Sequence, residues 1–158
     1  MDITFCTEQG RFNYRVCAII INDDKLLAMH DERSPYYYLP GGRVKLHETA
    51  EEAIIRELQE ELRINAKIIR PLWLNQSFFT EDVNHEQYHE LCLYFLIDIS
   101  ETSLLKRGTQ FMVNENNHTH CFEWLSFERL KEEYLYPLFI KESINHLPSQ
   151  LMLRTEYQ

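Results

Sequence analysis

An α+β fold with a mixed sheet is what the sequence predicts, and three observations carry that expectation. Residues 11–21 (RFNYRVCAIII) and 90–99 (ELCLYFLIDI) are rich in β-branched, aromatic and other apolar residues and read as strands, the second buried on both faces. Residues 50–62 lack Gly and Pro and are full of good helix formers. The elements then follow the order strands, helix, strands, helices, which suits a sheet with helices packed on it.

Each element has a local reason. Gly10 marks an early turn, Asn22-Asp23-Asp24 the next, and residues 25–30 return from it as a hairpin strand. Residues 31–35 are polar and turn-forming, and residues 36–39 make a short strand that ends at Pro40. Gly41 and Gly42 then permit a tight turn. Thr49 and Glu52 have the spacing of a capping box, so the helix is expected to start at residue 50. Residues 64–75 read as a strand bent near Pro71, and residues 76–89 as a loop or the turn of a hairpin. Residues 101–119 are expected as a long polar loop and residues 120–125 as a last strand. Ser126 suits the N-cap of a short helix through Tyr134. Pro137 suits the first turn of a final helix with Ile140, Ile144 and Leu147 as its buried stripe. The tail after Pro148 is left unassigned.

At 158 residues, 44% of them hydrophobic, the chain is expected to be one domain (1–158) with a real core. No apolar run is long enough to span a bilayer, and the N-terminus lacks the basic start and apolar region of a signal peptide, so the expected address is cytoplasmic. The four cysteines form no CxxC pair, and Cys17 and Cys92, inside apolar runs, read as small core residues. A net charge of −9 argues against general nucleic-acid or membrane-surface binding. It leaves room for a small phosphorylated substrate held through divalent cations.

The most informative stretch is residues 39–64, LPGGRVKLHETAEEAIIRELQEELRI. At about 100° per residue, Glu57, Glu60 and Glu61 share one face of the helix. Glu57 and Glu61 sit beside or within the apolar sector of Ala50, Ile54 and Leu58. Like charges packed near a core raise one another's pKa and destabilise the fold unless something compensates. A cation such as Arg56 would do so for one carboxylate. Divalent ions that take oxygen ligands, Mg²⁺ or Mn²⁺, would do so for the set. The alternative is a Glu-rich helix with a merely solvated face.

This stretch resembles the signature of the Nudix hydrolase family. Gly42 begins it, Glu48 follows after five residues, Arg56-Glu57 after seven more, and Leu58, Glu60, Glu61 and Ile64 complete it. One position departs, because the family's glycine near the helix end is Arg63 here. The resemblance implies an α/β/α sandwich with a mixed sheet and hydrolysis of a nucleoside diphosphate linked to another group. It implies Mg²⁺ or Mn²⁺ held by Glu57, Glu60 and Glu61 with a backbone carbonyl of Gly41 or Gly42. Glu57 or Glu61 would assist as general base, and Arg56 would orient a catalytic glutamate through an ion pair with Glu48. Arg43, next to Gly42, is a candidate phosphate contact or a solvated loop arginine. A nucleotide-binding module of the same fold without catalysis, and a protein with only a structural metal, are the other readings. Oligomeric state is left open, a homodimer included.

Candidates for a further carboxylate ligand are Glu86, Glu90 and Glu115. His85, His89, His118 and His120 read as loop or strand residues, Tyr36, Tyr37 and Tyr38 partly as core, and Phe78, Phe79 and Trp124 as base-stacking or packing groups. Residues 75–80 carry neither the proline nor the tyrosine that would mark an ADP-ribose or a dinucleoside-polyphosphate sub-family, so the substrate is not legible.

Overall fold

The computed structural model describes residues 1–32 and 34–158. In chain order its strands are β1 (Thr4–Thr7), β2 (Gly10–Ile19), β3 (Ile21–Asn22), β4 (Lys25–His30), β5 (Tyr37–Tyr38) and β6 (Gly41–Arg43). Helix α1 (Ala50–Leu62) separates these from β7 (Lys67–Thr80), β8 (Gln87–Asp98), β9 (Gln110–Glu115) and β10 (His118–Ser126). Two short helices, α2 (Phe127–Leu130) and α3 (Phe139–Ser143), then alternate with β11 (Leu135–Tyr136) and β12 (Met152–Tyr157). The strands form two mixed sheets. One runs β1-β2-β8-β7-β12 with β6 added to β2, and the other runs β11-β5-β4-β10-β9 with β3 added to β4. The fold is α+β, as the sequence predicts.

Side-chain alternation along β2 explains the layering. Val16 and Ala18 point into a core shared with Ala53, Ile54, Leu58 and Leu62 of α1. Cys17 and Ile19 point the other way, into a core shared with Trp73, Tyr94 and, from α3, Phe139 and Ile140. Helices thus cover both faces. Full burial of Ile54, Leu58 and Leu62 is worth about 1.5–3 kcal/mol each relative to exposure.

Helix α1 starts where its local chemistry dictates. Glu52 N–H donates to Thr49 Oγ1 (3.1 Å) and Thr49 N–H donates to Glu52 Oε2 (2.9 Å), closing the capping box. Its end holds Arg63 in the left-handed region (φ 57°), the conformation a glycine adopts more readily.

Several expectations need correction. The strand expected over 11–21 breaks after Ile19, because β2 and β3 belong to different sheets. Residues 76–80 and 87–89 are not loop. β7 and β8 pair from Lys67↔Asp98 to Thr80↔Gln87, with register shifts on both sides of Pro71, and only the turn at 81–86 remains outside the ladder. Residues 110–115 of the expected loop form β9, paired with β10. Ser126 does cap α2, accepting from Arg129 N–H at 3.1 Å, but that helix ends at Leu130. Pro137 precedes α3 rather than opening it, although Ile140 and Ile144 are buried as expected. The unassigned tail contributes β12, which adds parallel to β7.

Candidate active site

Gly41 and Gly42 do not make the expected turn. Both lie in β6, antiparallel to β2 with Cys17↔Gly41 and Val16↔Gly42, and neither has a positive φ. Glycine is required there for close approach. A Cβ on Gly41 would overlap the Val16 carbonyl oxygen, and one on Gly42 would overlap the carboxylate of Glu57. Helix α1 therefore lays its glutamates directly on the β6 backbone.

Arg56 organises that face. Its Nε and Nη2 donate to the two oxygens of Glu48 at 2.7 and 2.9 Å, and Nη2 also donates to the Arg43 carbonyl at 3.0 Å. Its Nη1 donates to Glu57 Oε1 at 2.8 Å and approaches Glu60 Oε2 at 3.4 Å. Glu48 also accepts from Lys45 N–H at 3.0 Å. The Arg56 hydrogen bonds, helped by that backbone bond, hold the Glu48 carboxyl down to about 2.

Glu61 is 7% exposed and accepts from Gly41 N–H at 3.0 Å. Burial, and then the charge of Glu57, push its pKa well above the carboxylate range. Burial likewise raises Glu57, against the pull of Arg56. Glu60 is more open, with its side chain 44% exposed. Among the described residues no three ligating side chains yet converge on one point. Glu57 and Glu60 are turned towards Arg56, and Glu61 towards the Gly41 N–H.

The distant candidates separate clearly. Glu115, at the end of β9, adds its charge to the field at Glu61. Glu90 lines a depression with Gly42, Arg43 and Arg15. Glu86 is engaged elsewhere, with Arg11 at 3.4 Å and Cys6 Sγ at 2.9 Å. Trp124 is core and Phe79 lines the depression, while Phe78 and His89 belong to a row of rings crossing the sheet, Phe5–Phe12–His89–Phe78–Tyr157. His85 and His118 are exposed in turn and hairpin, and His120 Nδ1 lies 3.3 Å from Tyr38 Oη. Tyr36 packs on Tyr134 and Tyr136, and Tyr37 donates to Glu123 at 2.8 Å. Cys17 and Cys92 are buried, free thiols.

Arg15 is a residue that sequence reasoning missed. It sits on β2 opposite Arg43, and its charge acts on Glu57 and Glu61. Burial opposes its own charge, but its neighbours, led by Cys17 and Glu90, outweigh that and keep it protonated. A cation at the edge of an apolar strand pattern was the available signal. Among the described residues no helix is long and apolar enough to cross a membrane.

The chain is 30% identical over 87 residues to an ADP-ribose pyrophosphatase of Methanocaldococcus jannaschii, covering 53% of this chain and 49% of that protein. It is 35% identical over 78 residues to a putative 8-oxo-dGTP diphosphatase of Bacillus subtilis, covering 49% of each. It thus spans about half the length of the curated relatives it matches. Among solved structures it superposes on the mutator MutT protein of Bacillus halodurans with a TM-score of 0.63 at 14% identity, covering 92% of this chain and 89% of that one. It superposes on a UDP-X diphosphatase with a TM-score of 0.57 at 22% identity, covering 89% of this chain and 66% of that one. Similarity at these identities speaks for the fold. The family model described as NUDIX domain matches residues 11–146, and the chain accordingly belongs to the Nudix family.

Proposed function

We propose that the protein hydrolyses the pyrophosphate bond of a nucleoside diphosphate derivative with the help of Mg²⁺ or Mn²⁺. The observation that carries this reading is the stack of Glu57 and Glu61 against the Gly41-Gly42 backbone, half neutralised by Arg56. The buried Glu61 and half-buried Glu57, both with raised pKa values, plus Glu60 nearby on the same face, are a hard-oxygen donor set short of positive charge. That set fits a divalent cation, with Glu57, Glu60, Glu61 and the Gly42 carbonyl as its holders. When bound, such an ion polarises phosphoryl oxygens and acidifies water.

The chain's own residues supply the rest. Arg56, clamped by Glu48, keeps Glu57 in place. Glu61, anchored on the Gly41 N–H, is positioned to take a proton from an attacking water. Arg15 and Arg43 border the depression beside Gly42, where they would bind phosphate oxygens. The names of the relatives, an ADP-ribose pyrophosphatase and a putative 8-oxo-dGTP diphosphatase, support a small nucleotide substrate.

The test is incubation with Mg²⁺ or Mn²⁺ and a panel of dNTPs, ADP-ribose, nucleotide sugars and dinucleoside polyphosphates, followed by chromatography of the products. Metal-dependent release of a nucleotide product is expected. Tight binding of one of them without turnover would replace this reading with that of a nucleotide-binding module.

A further inference from the structure

Beside the depression at Gly42 lies a second cleft of about 360 Å³, and Arg15, Phe79 and Glu90 line both. Strand register builds its floor. Arg15↔Cys92↔Asn75↔Arg154 forms one row across β2, β8, β7 and β12, and Asn13↔Glu90↔Ser77↔Glu156 forms the next. Cross-strand neighbours of this kind project to one face. Of the four buried polar or charged residues among those described, Asn13, Asn75 and Ser77 stand in these two rows, and the other is Glu61. Uncharged polar groups kept inside a fold destabilise it unless they are paired.

Pairing here is incomplete at two atoms, Asn75 Oδ1 and Arg154 Nε, and the first is an acceptor on a residue that lines the cleft. Asn75, 2% exposed, donates from Nδ2 to Glu156 Oε1 at 2.6 Å, which fixes the orientation of its amide. Its Oδ1 has no hydrogen-bond partner. A buried acceptor left unfilled destabilises the fold, and a donor would remove that penalty. The Asn75–Glu156 pair, both residues lining the cleft, therefore offers two acceptors: Asn75 Oδ1 and the remaining capacity of the Glu156 carboxylate. Flat rings, Tyr36, Tyr136 and Phe79, wall the same cleft. Glu156 is close enough to Tyr136 to add to the burial that pushes its hydroxyl up to about 12.

Walls of this kind take a planar group, and the acceptors require that group to carry adjacent N–H donors on one edge. Guanine presents a ring N1–H beside an exocyclic amine. Adenine and cytosine place their amine next to an acceptor nitrogen. Uracil and thymine place one N–H between two carbonyl oxygens. Each of these would set a lone pair against the carboxylate. We propose that this cleft is a base pocket that selects a guanine-type ring, with Asn75 and Glu156 reading its N1–H and amine edge. The proposal rests on the hydrolase reading only in placing the pyrophosphate at Gly42. The base is bound by residues outside the glutamate helix.

The test is calorimetric binding of GMP, IMP, AMP and UMP to the full chain without metal. GMP is expected to bind about tenfold or more tightly than AMP or UMP, with IMP, which lacks the amine, in between. Glu156→Gln, checked for an unchanged circular dichroism spectrum and urea midpoint, is expected to reduce the preference for GMP over AMP to less than about threefold. Equal affinities for the four nucleotides, no binding of GMP, or an unchanged preference in Glu156→Gln would overturn the proposal. If that variant does not fold, Asn75→Asp, which puts a second carboxylate against Glu156, is expected to weaken GMP binding selectively, and an unmoved preference counts equally against the pocket. Turnover of GTP, ATP and UTP, measured in parallel, separates the two claims. Turnover indifferent to the base sinks the pocket and spares the hydrolase, while selective GMP binding without turnover does the reverse.

Discussion

Replacing Glu48 by Gln isolates the contribution of one charge to the architecture of the site. Glu48 accepts two hydrogen bonds from Arg56 and one from Lys45 N–H, and its carboxyl is held down to about 2 from an ordinary 4.5. By linkage, that difference corresponds to about 3 kcal/mol of folding stability at neutral pH. The side chain is 15% exposed, so solvent screens part of the interaction, and about 2 kcal/mol is the expected loss. Glutamine still accepts from Lys45 N–H, so the loss reports the charge.

The sign of the pH dependence follows from the direction of the shift. The folded-state pKa is depressed, so the stabilisation is fully present above the unfolded value near 4.5 and is lost as pH falls towards 2. Urea unfolding of both proteins at pH 7, 5, 4 and 3 should show a constant difference down to about pH 5, and less than half of it at pH 3. A difference that stays the same across that range would show that the Arg56 clamp is packing rather than charge and refute the reasoning.

The other expectations concern the same face. Glu61→Gln keeps an acceptor for Gly41 N–H and removes the ionisable carboxyl, so the fold should persist while turnover drops by about 10²–10⁴-fold; undiminished steady-state rates would contradict the proposed role. Gly41→Ala and Gly42→Ala should separate stability from activity. The first drives a Cβ into backbone and should lower the unfolding free energy read from urea titration by about 1–3 kcal/mol or more. The second displaces only the end of the Glu57 side chain and should leave the midpoint nearly in place while costing about 10²-fold in kcat. Arg63→Gly relieves a left-handed residue on an exposed position and should raise stability by about 1 kcal/mol, read by thermal or urea unfolding.

Much of the fold was legible because its causes are local. Thr49 and Glu52 start α1 wherever it packs, and the charged and apolar faces of that helix follow from its period alone. The shared face of Glu57, Glu60 and Glu61 belongs to this class, whereas the partnership of Arg56 with Glu48 was implied by the family resemblance. The left-handed end at Arg63, where the family has glycine, came only from the structure. Strand extent was less legible. Residues 76–80 and 87–89 are polar enough to read as loop, yet pairing between β7 and β8 satisfies their backbone and carries the ladder on. The same applies to β9 and β12, whose ladders come from partners remote in sequence.

The sequence by itself determined the spacing of glycines and glutamates, the shared face of the glutamates on a capped helix, and the family to which the chain belongs. Spacing within one helix is a property of the chain alone. Tertiary structure decided why those glycines are glycines, since only the approach of α1 to β6 shows Gly42 lying under Glu57 and Gly41 against Val16. It also decided which residues join the glutamates. Arg15, Asn75, Ser77 and Glu156 are separated by long stretches of chain and meet only because four strands align in register. Such cross-strand rows leave no trace in sequence spacing, because each neighbour is set by pairing with a distant segment.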